Sequence, residues 1–269
     1  MPTRSHAPQY GMRQVRALTA VSLLAFAACS FGADRDFSAD WGHGKVKATI
    51  SYPSGKGKVP VIFIASGRSG GMNTNIIKGF ADKVVRDGMI AVRFDYDYYA
   101  KKGEPSKGLT DETDQFNAVI TEAMKDSRVD SKRVIIAGKS LGSVVAHRVF
   151  ASKSSYLGEV LLTPVIPTLD DGQRLYPNLV VSGRPVVLVV GNQDTENAPL
   201  GVVYNYLRDA SRKIMLDIVA GDHGFEVTTG TDANAQKLNQ ANADAALETA
   251  EYWVRTIARI TPPAKTASK

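Results

Sequence analysis

The chain has 269 residues, of which 43% are hydrophobic and 22% charged, ordinary values for a globular protein with a sizeable core. Its formal charge is +6, but Arg4, Arg13 and Arg16 sit in an acid-free stretch at residues 1–33, leaving 30 basic and 27 acidic residues on the rest. A body so close to neutral argues against a nucleic-acid-binding face.

Arg13 and Arg16 precede the apolar stretch Ala17 to Ala28, which is too short for a comfortable membrane span and is followed by small residues. Positive start, short apolar run and small-residue exit describe a secretory signal peptide over residues 1–33. Ala25-Phe26-Ala27 and Ser30-Phe31-Gly32 are the candidate cleavage sites, and the mature protein is expected in the periplasm or outside the cell. Cys29 is the only cysteine. Ala27-Ala28-Cys29 resembles the end of a bacterial lipobox, with Phe26 where Leu, Val or Ile is usual, so a lipid anchor at Cys29 is the lesser alternative. Either way the mature body has no disulfide, and its stability must come from packing.

After a polar lead-in, Lys45–Tyr52 alternates and reads as an edge strand. Val59–Ala65 is almost wholly apolar, as expected of a strand covered on both faces, and breaks into the small-residue loop Ser66 to Asn73. Ile76, Ile77, Phe80, Ala81, Val84 and Val85 recur at the helical period, with Gly88 as the stop. Met89–Phe94 is the next strand. A loop with Tyr96, Tyr98 and Tyr99 follows, and Asp95 and Asp97 there read as a solvated rim. Thr110–Asp126 reads as a helix with acids in its first turn, where the helix dipole favours them.

Arg133–Ala137 is a β-branched strand running into Gly138-Lys139-Ser140-Leu141-Gly142 and then into the helical Ser143–Phe150. Strand, sharp turn and helix are the setting of a nucleophile elbow, which lifts a serine hydroxyl above the strand end. Glu159–Thr163 is a short strand, residues 164–184 read as irregular, and Val186–Val190 is another buried strand, ending in Gly191-Asn192-Gln193-Asp194. Leu200–Ala210 reads as a helix and Lys213–Val219 as the last strand, ending in Gly221-Asp222-His223-Gly224-Phe225. A long helix closes the chain, and residues 262–269 read as a disordered tail. Alternating strands and helices from Val59 onward imply an α/β fold, one mostly parallel sheet with helices on both faces and functional loops at the strands' carboxyl ends. No internal repeat or linker divides residues 34–261, so a single domain is expected.

A nucleophilic Ser140 needs a base. His6 falls in the leader, His43 precedes the first strand, and His147 lies inside the helix after the elbow as a packing or surface residue. His223 alone occupies a Gly-flanked loop just past a strand. The imidazole needs an acid to fix its tautomer, and Asp194 at its own strand end is preferred to the adjacent Asp222. The oxyanion would take two backbone donors: Leu141 N–H, and one from the loop after Val59–Ala65, with Arg68 N–H chosen over its neighbours. Gly67, Ser69, Tyr96, Tyr98 and Pro164 are candidate pocket residues. Four scattered histidines and one leader cysteine offer no metal-site spacing, Gly67–Gly71 lacks the ending of a phosphate loop, and no cofactor is implied.

The elbow, Gly191-Asn192-Gln193-Asp194 and Asp222-His223-Gly224-Phe225, in that order, resemble the α/β-hydrolase superfamily across about Lys45 to Ile260. The pattern is most similar to a small, nearly lidless branch akin to dienelactone hydrolases. Ser66-Gly67-Arg68-Ser69-Gly70-Gly71-Met72-Asn73 resembles its oxyanion loop, with Ser66 in place of the usual His. The cysteine nucleophile of true dienelactone hydrolases is absent, so their substrate is not carried over. The resemblance implies an α/β-hydrolase fold with a minimal cap and a serine hydrolase acting on a small-molecule ester or similar acyl bond. Peptidase or acyltransferase chemistry on the same residues, and a non-catalytic binding protein of the same fold, are the alternatives. Nothing in the sequence speaks to oligomeric state.

Overall fold

The computed structural model describes residues 32–260. The signal-peptide, lipid-anchor and tail expectations fall on residues outside this range. Among these residues eight strands form one sheet in the order β1-β2-β4-β3-β5-β6-β7-β8. They are β1 (Asp34–Asp40), β2 (Lys45–Ser51), β3 (Val59–Ala65), β4 (Ile90–Phe94), β5 (Val129–Lys139), β6 (Gly158–Leu162), β7 (Val186–Gly191) and β8 (Ile214–Val219). β1 and β2 pair antiparallel, as do β2 and β4, and every pairing from β4 to β8 is parallel.

Among the described residues seven α-helices join or follow the strands: α1 (Asn75–Arg86), α2 (Asp97–Ala100), α3 (Thr110–Ala123), α4 (Leu141–Ser152), α5 (Leu169–Leu175), α6 (Leu200–Leu207) and α7 (Ala233–Ala258). The pleat explains why β3, β7 and the Val134–Ala137 stretch of β5 are apolar at every position, since successive side chains point to opposite faces and both faces are covered. Val61, Phe63, Val134, Ile136, Val186 and Leu188 pack under α3, α4 and α6 with Phe116, Val145, Phe150 and Val203. Ile62, Ile64, Ile135, Ala137, Val187 and Val189 pack on the other face with Phe80, Val84, Leu247 and Val254 of α1 and α7. α1 is strongly amphipathic and ends where Gly88 takes φ +88°, a left-handed turn that suits glycine.

Three expectations need correction. The polar lead-in is β1, paired along its whole length with β2, so β1 and not β2 is the sheet edge. Its residues are largely exposed, with only Ala39 buried, which is why no apolar alternation betrays it. Residues 164–184 are not wholly irregular. They hold α5, started by Thr168, whose hydroxyl accepts from the Asp171 N–H at 3.1 Å. The tyrosine loop likewise contains the single turn α2.

No helix among the described residues is long and apolar enough to cross a membrane. Nor does any group of three or more His, Cys, Asp or Glu side chains among them stand where it could hold a metal ion.

Candidate active site

β5 and α4 meet at Ser140, whose backbone has φ 53° and ψ −126°, a conformation costly for a residue with a Cβ. The turn closes only because its flanking positions are glycine. A Cβ on Gly138 would stand 2.1 Å from Gly142 O, and one on Gly142 2.2 Å from Ser66 O. The carbonyl of Ser140 is held from within the helix by Ser143, whose N–H donates at 2.8 Å and whose hydroxyl donates at 2.5 Å.

β7 and β8 bring the other two residues to the same sheet edge. His223 Nε2 lies 2.8 Å from Ser140 Oγ, and His223 Nδ1 lies 2.6 Å from Asp194 Oδ2. Asp194 is 4% exposed, and its other oxygen accepts from Asn197 N at 3.0 Å and Asn197 Nδ2 at 3.4 Å. Burial alone would raise its pKa, but the hydrogen bond and charge of His223, with the two Asn197 bonds, outweigh that and hold the carboxyl below its ordinary 3.8. An ionised carboxylate there fixes the proton on Nδ1 and leaves Nε2 free to accept from the serine. Asp222 points elsewhere, and its carboxylate accepts from Gly224 N and Glu226 N within its own loop. The loop is pinned from three sides: Gln193 N donates to Gly221 O, Gly221 N donates to the Asn192 side chain, and Asn242 Nδ2 donates to Ala220 O and Phe225 O.

The β3–α1 loop lies directly against the serine, since a Cβ on Gly67 would stand 3.3 Å from Ser140 Cβ. Its path is fixed by Tyr98, whose hydroxyl donates to Arg68 O at 3.1 Å, and by Asp95, which accepts from Met72 N at 2.6 Å. Asp95 is therefore a loop anchor rather than a solvated rim. The Arg68 side chain turns outward to pair with Glu104. Leu141 N–H belongs to the first turn of α4 and has no partner within the helix.

The pocket expectations divide. Arg68, Ser69, Tyr98, Tyr99 and Glu104 line a cleft of about 300 Å³, so Ser69 and Tyr98 face open space. Tyr96 does not line a pocket. It is fully buried, packed edge-on to Phe94 and stacked on Tyr98. Pro164 is buried as well. A larger cleft, about 600 Å³, borders the His223 loop at Gly224 and is lined by Ile76, Glu226, Gln236, Asn239 and Ala243.

Several contacts had no signal in the sequence. Lys139 Nζ donates to His223 O at 3.1 Å, tying the elbow to the histidine loop. Burial pushes its ammonium pKa down, partly opposed by Asp194 and Asp222. His147 packs away from the cleft, with Nδ1 2.8 Å from Glu159 Oε1 and Nε2 3.0 Å from Pro177 O. His43 sits in the β1–β2 turn beside Trp41.

Comparison with known proteins matches this architecture. An alpha/beta serine hydrolase homologue from Coxiella burnetii is similar at TM-score 0.62 and 19% identity, over 82% of this chain and 95% of that one. A dienelactone hydrolase from Anabaena variabilis is similar at TM-score 0.62 and 16% identity, over 83% and 97%. The carboxylesterase EstE1, from a metagenomic library, is similar at TM-score 0.58 and 16% identity, over 81% and 89%. At such identities the likeness is one of fold. None of the curated proteins matches in sequence. A family model described as "Alpha/beta hydrolase domain" matches residues 58–251, and the chain belongs to that family.

Proposed function

We propose that the protein is a serine hydrolase that cleaves a carboxylic ester, or a similar acyl bond, of a small molecule. The observation that carries this reading is the unbroken hydrogen-bonded series from Ser140 Oγ through His223 to the buried Asp194. His223 takes the proton of Ser140 as the hydroxyl attacks the acyl carbonyl, and Asp194 stabilises the imidazolium that forms. The oxyanion binds Leu141 N–H and Arg68 N–H. His223 then protonates the leaving alcohol, water enters, and the same imidazole deprotonates it to release the acid from Ser140. Only α5, a single 3-10 turn at Leu179–Val181 and their loops stand between β6 and β7, which suits an open site and a small or flexible acyl group. We also propose export, on the strength of Arg13 and Arg16 ahead of the apolar stretch Ala17–Ala28.

Labelling with a fluorophosphonate probe tests the chemistry. Wild type is expected to label and Ser140→Ala is not. Absence of labelling in wild type, or equal labelling of the variant, refutes the assignment. Profiling p-nitrophenyl esters of increasing chain length beside peptide substrates then separates esterase from peptidase, and fractionation of expressing cells tests export.

A further inference from the structure

Beneath the elbow lies a buried chain of hydroxyl groups. Val165 N–H donates to Tyr176 OH at 2.8 Å, Tyr176 OH lies 2.6 Å from Ser143 Oγ, and Ser143 Oγ lies 2.5 Å from Ser140 O. Ser143 and Tyr176 are both fully buried. Each hydroxyl has one proton, so the direction of the chain is forced. Were Ser143 to give its proton to Tyr176, its oxygen and the Ser140 carbonyl would face each other at 2.5 Å as two acceptors. Tyr176 must therefore donate to Ser143, and Ser143 to Ser140 O. Tyr176 is itself braced on both sides: Tyr206 OH donates to its carbonyl at 2.9 Å, and His147 Nε2 holds the carbonyl of Pro177.

The carbonyl receiving this chain belongs to the same peptide unit as Leu141 N–H. A hydrogen bond to an amide oxygen draws charge toward it and makes the N–H of that amide a stronger donor, and successive bonds reinforce one another. Ser140 O accepts twice from Ser143, once from N–H and once from the hydroxyl. Resting on the hydrolase reading above, we propose that Ser143 and Tyr176 are positioning residues that act through the Ser140–Leu141 peptide, strengthening Leu141 N–H as an oxyanion donor and holding Ser140 in its left-handed conformation. The effect falls on the transition state, because a polarised donor gains more from a full oxyanion than from a neutral carbonyl.

Removing an entire oxyanion donor costs ~100- to 1000-fold in kcat. Removing one bond behind the donor costs a fraction of that, on the order of three- to tenfold, by the same logic. Ser143→Ala is expected to lower kcat by that factor on a p-nitrophenyl ester, with KM within about twofold, and to weaken a phenylboronic acid inhibitor in parallel. Tyr176→Phe is expected to act in the same direction and more weakly, and to have no further effect on kcat in the Ser143→Ala background. Ser143→Cys, which keeps a weaker donor, should fall between and carries the test if the alanine variant does not fold. The Leu141 amide proton reports the polarisation directly and should move upfield in Ser143→Ala. Unchanged kcat, boronate affinity and Leu141 shift overturn the proposal. So does a Tyr176→Phe effect that is as large in the Ser143→Ala background as in wild type, since that marks a general packing role. If wild type hydrolyses no ester and binds no boronate, the hydrolase reading fails, yet the Leu141 shift still decides whether the peptide is polarised.

Discussion

Asp194→Asn is the most informative single change, because the structure dictates how the amide must sit. The carboxylate presently accepts on both oxygens, from His223 at 2.6 Å and from Asn197 at 3.0 and 3.4 Å. An asparagine has one acceptor and one donor group to place there. Turning its NH2 toward Asn197 makes donors converge in a buried position and costs about 1–3 kcal/mol. The amide therefore keeps its oxygen on Asn197 and points NH2 at His223 Nδ1. The imidazole answers by carrying its proton on Nε2, which can no longer accept from Ser140. Triads that lose their acid in this way fall ~10⁴-fold in kcat, or ~5 kcal/mol of barrier at 1.36 kcal/mol per tenfold. Because the unfavourable rotamer here remains within reach, the expected loss is on the order of 10³- to 10⁴-fold. Ester hydrolysis under saturating substrate measures it, with circular dichroism to show an intact fold. A loss smaller than about tenfold would mean that Asp194 does not set the tautomer of His223, and the reasoning would be wrong.

Gly142→Ala forces a Cβ to within 2.2 Å of Ser66 O and 2.6 Å of Ala65 O, both rigid backbone atoms. It should cost about 2–3 kcal/mol, seen as a Tm lower by roughly 5–10 °C, whereas Gly201→Ala, with nothing within 4 Å, should not lower it. His147→Ala strands the fully buried Glu159 carboxylate and should cost about 3–5 kcal/mol in urea unfolding; the paired change His147→Leu with Glu159→Leu should recover most of that, and equal losses would refute the ion-pair account. Burial first, and then the neighbouring Asp87 carboxylate, push the Glu251 carboxyl up to about 7 from 4.5. Its folded pKa lies above its unfolded one, so its contribution to stability is complete below pH 4.5 and lost as pH rises through about 7. Glu251→Gln should flatten the stability profile across that window, and a profile as steep as wild type would count against the shift.

The central sheet was legible because burial on both faces demands strands without a polar residue, and Val59–Ala65 and Val186–Val190 are almost pure in that sense. Ser140, Asp194 and His223 were legible for a related reason. Each lies just past a largely apolar strand, two of them central and β8 at the sheet's end, beside glycines that permit a tight turn, so local sequence alone marks the place. β1 was invisible because an exposed edge strand needs only backbone partners, which any sequence supplies. Tyr96 and Tyr98 look alike in sequence and both are buried in the core, yet only Tyr98 also reaches the wall of a cleft. Lys139, Ser143 and Tyr176 escaped because their roles depend on contacts across tens of residues. The bond from Lys139 to the His223 carbonyl spans 84 positions, and no spacing rule predicts it.

The left-handed backbone at Ser140 bears on how such a chain evolves. A residue with a Cβ in that conformation lowers stability by about 1–3 kcal/mol, while glycine, free of that strain, would give back only ~0.5–1 kcal/mol through its more disordered unfolded chain. Ser140→Gly should therefore leave the fold as stable as wild type or more so while removing the hydroxyl altogether. Ageing copies of this gene, once relieved of their reaction, have a downhill path at this position. On the proposed reading, only selection on turnover opposes that path, and a lineage kept for its fold alone would be expected to lose the serine first.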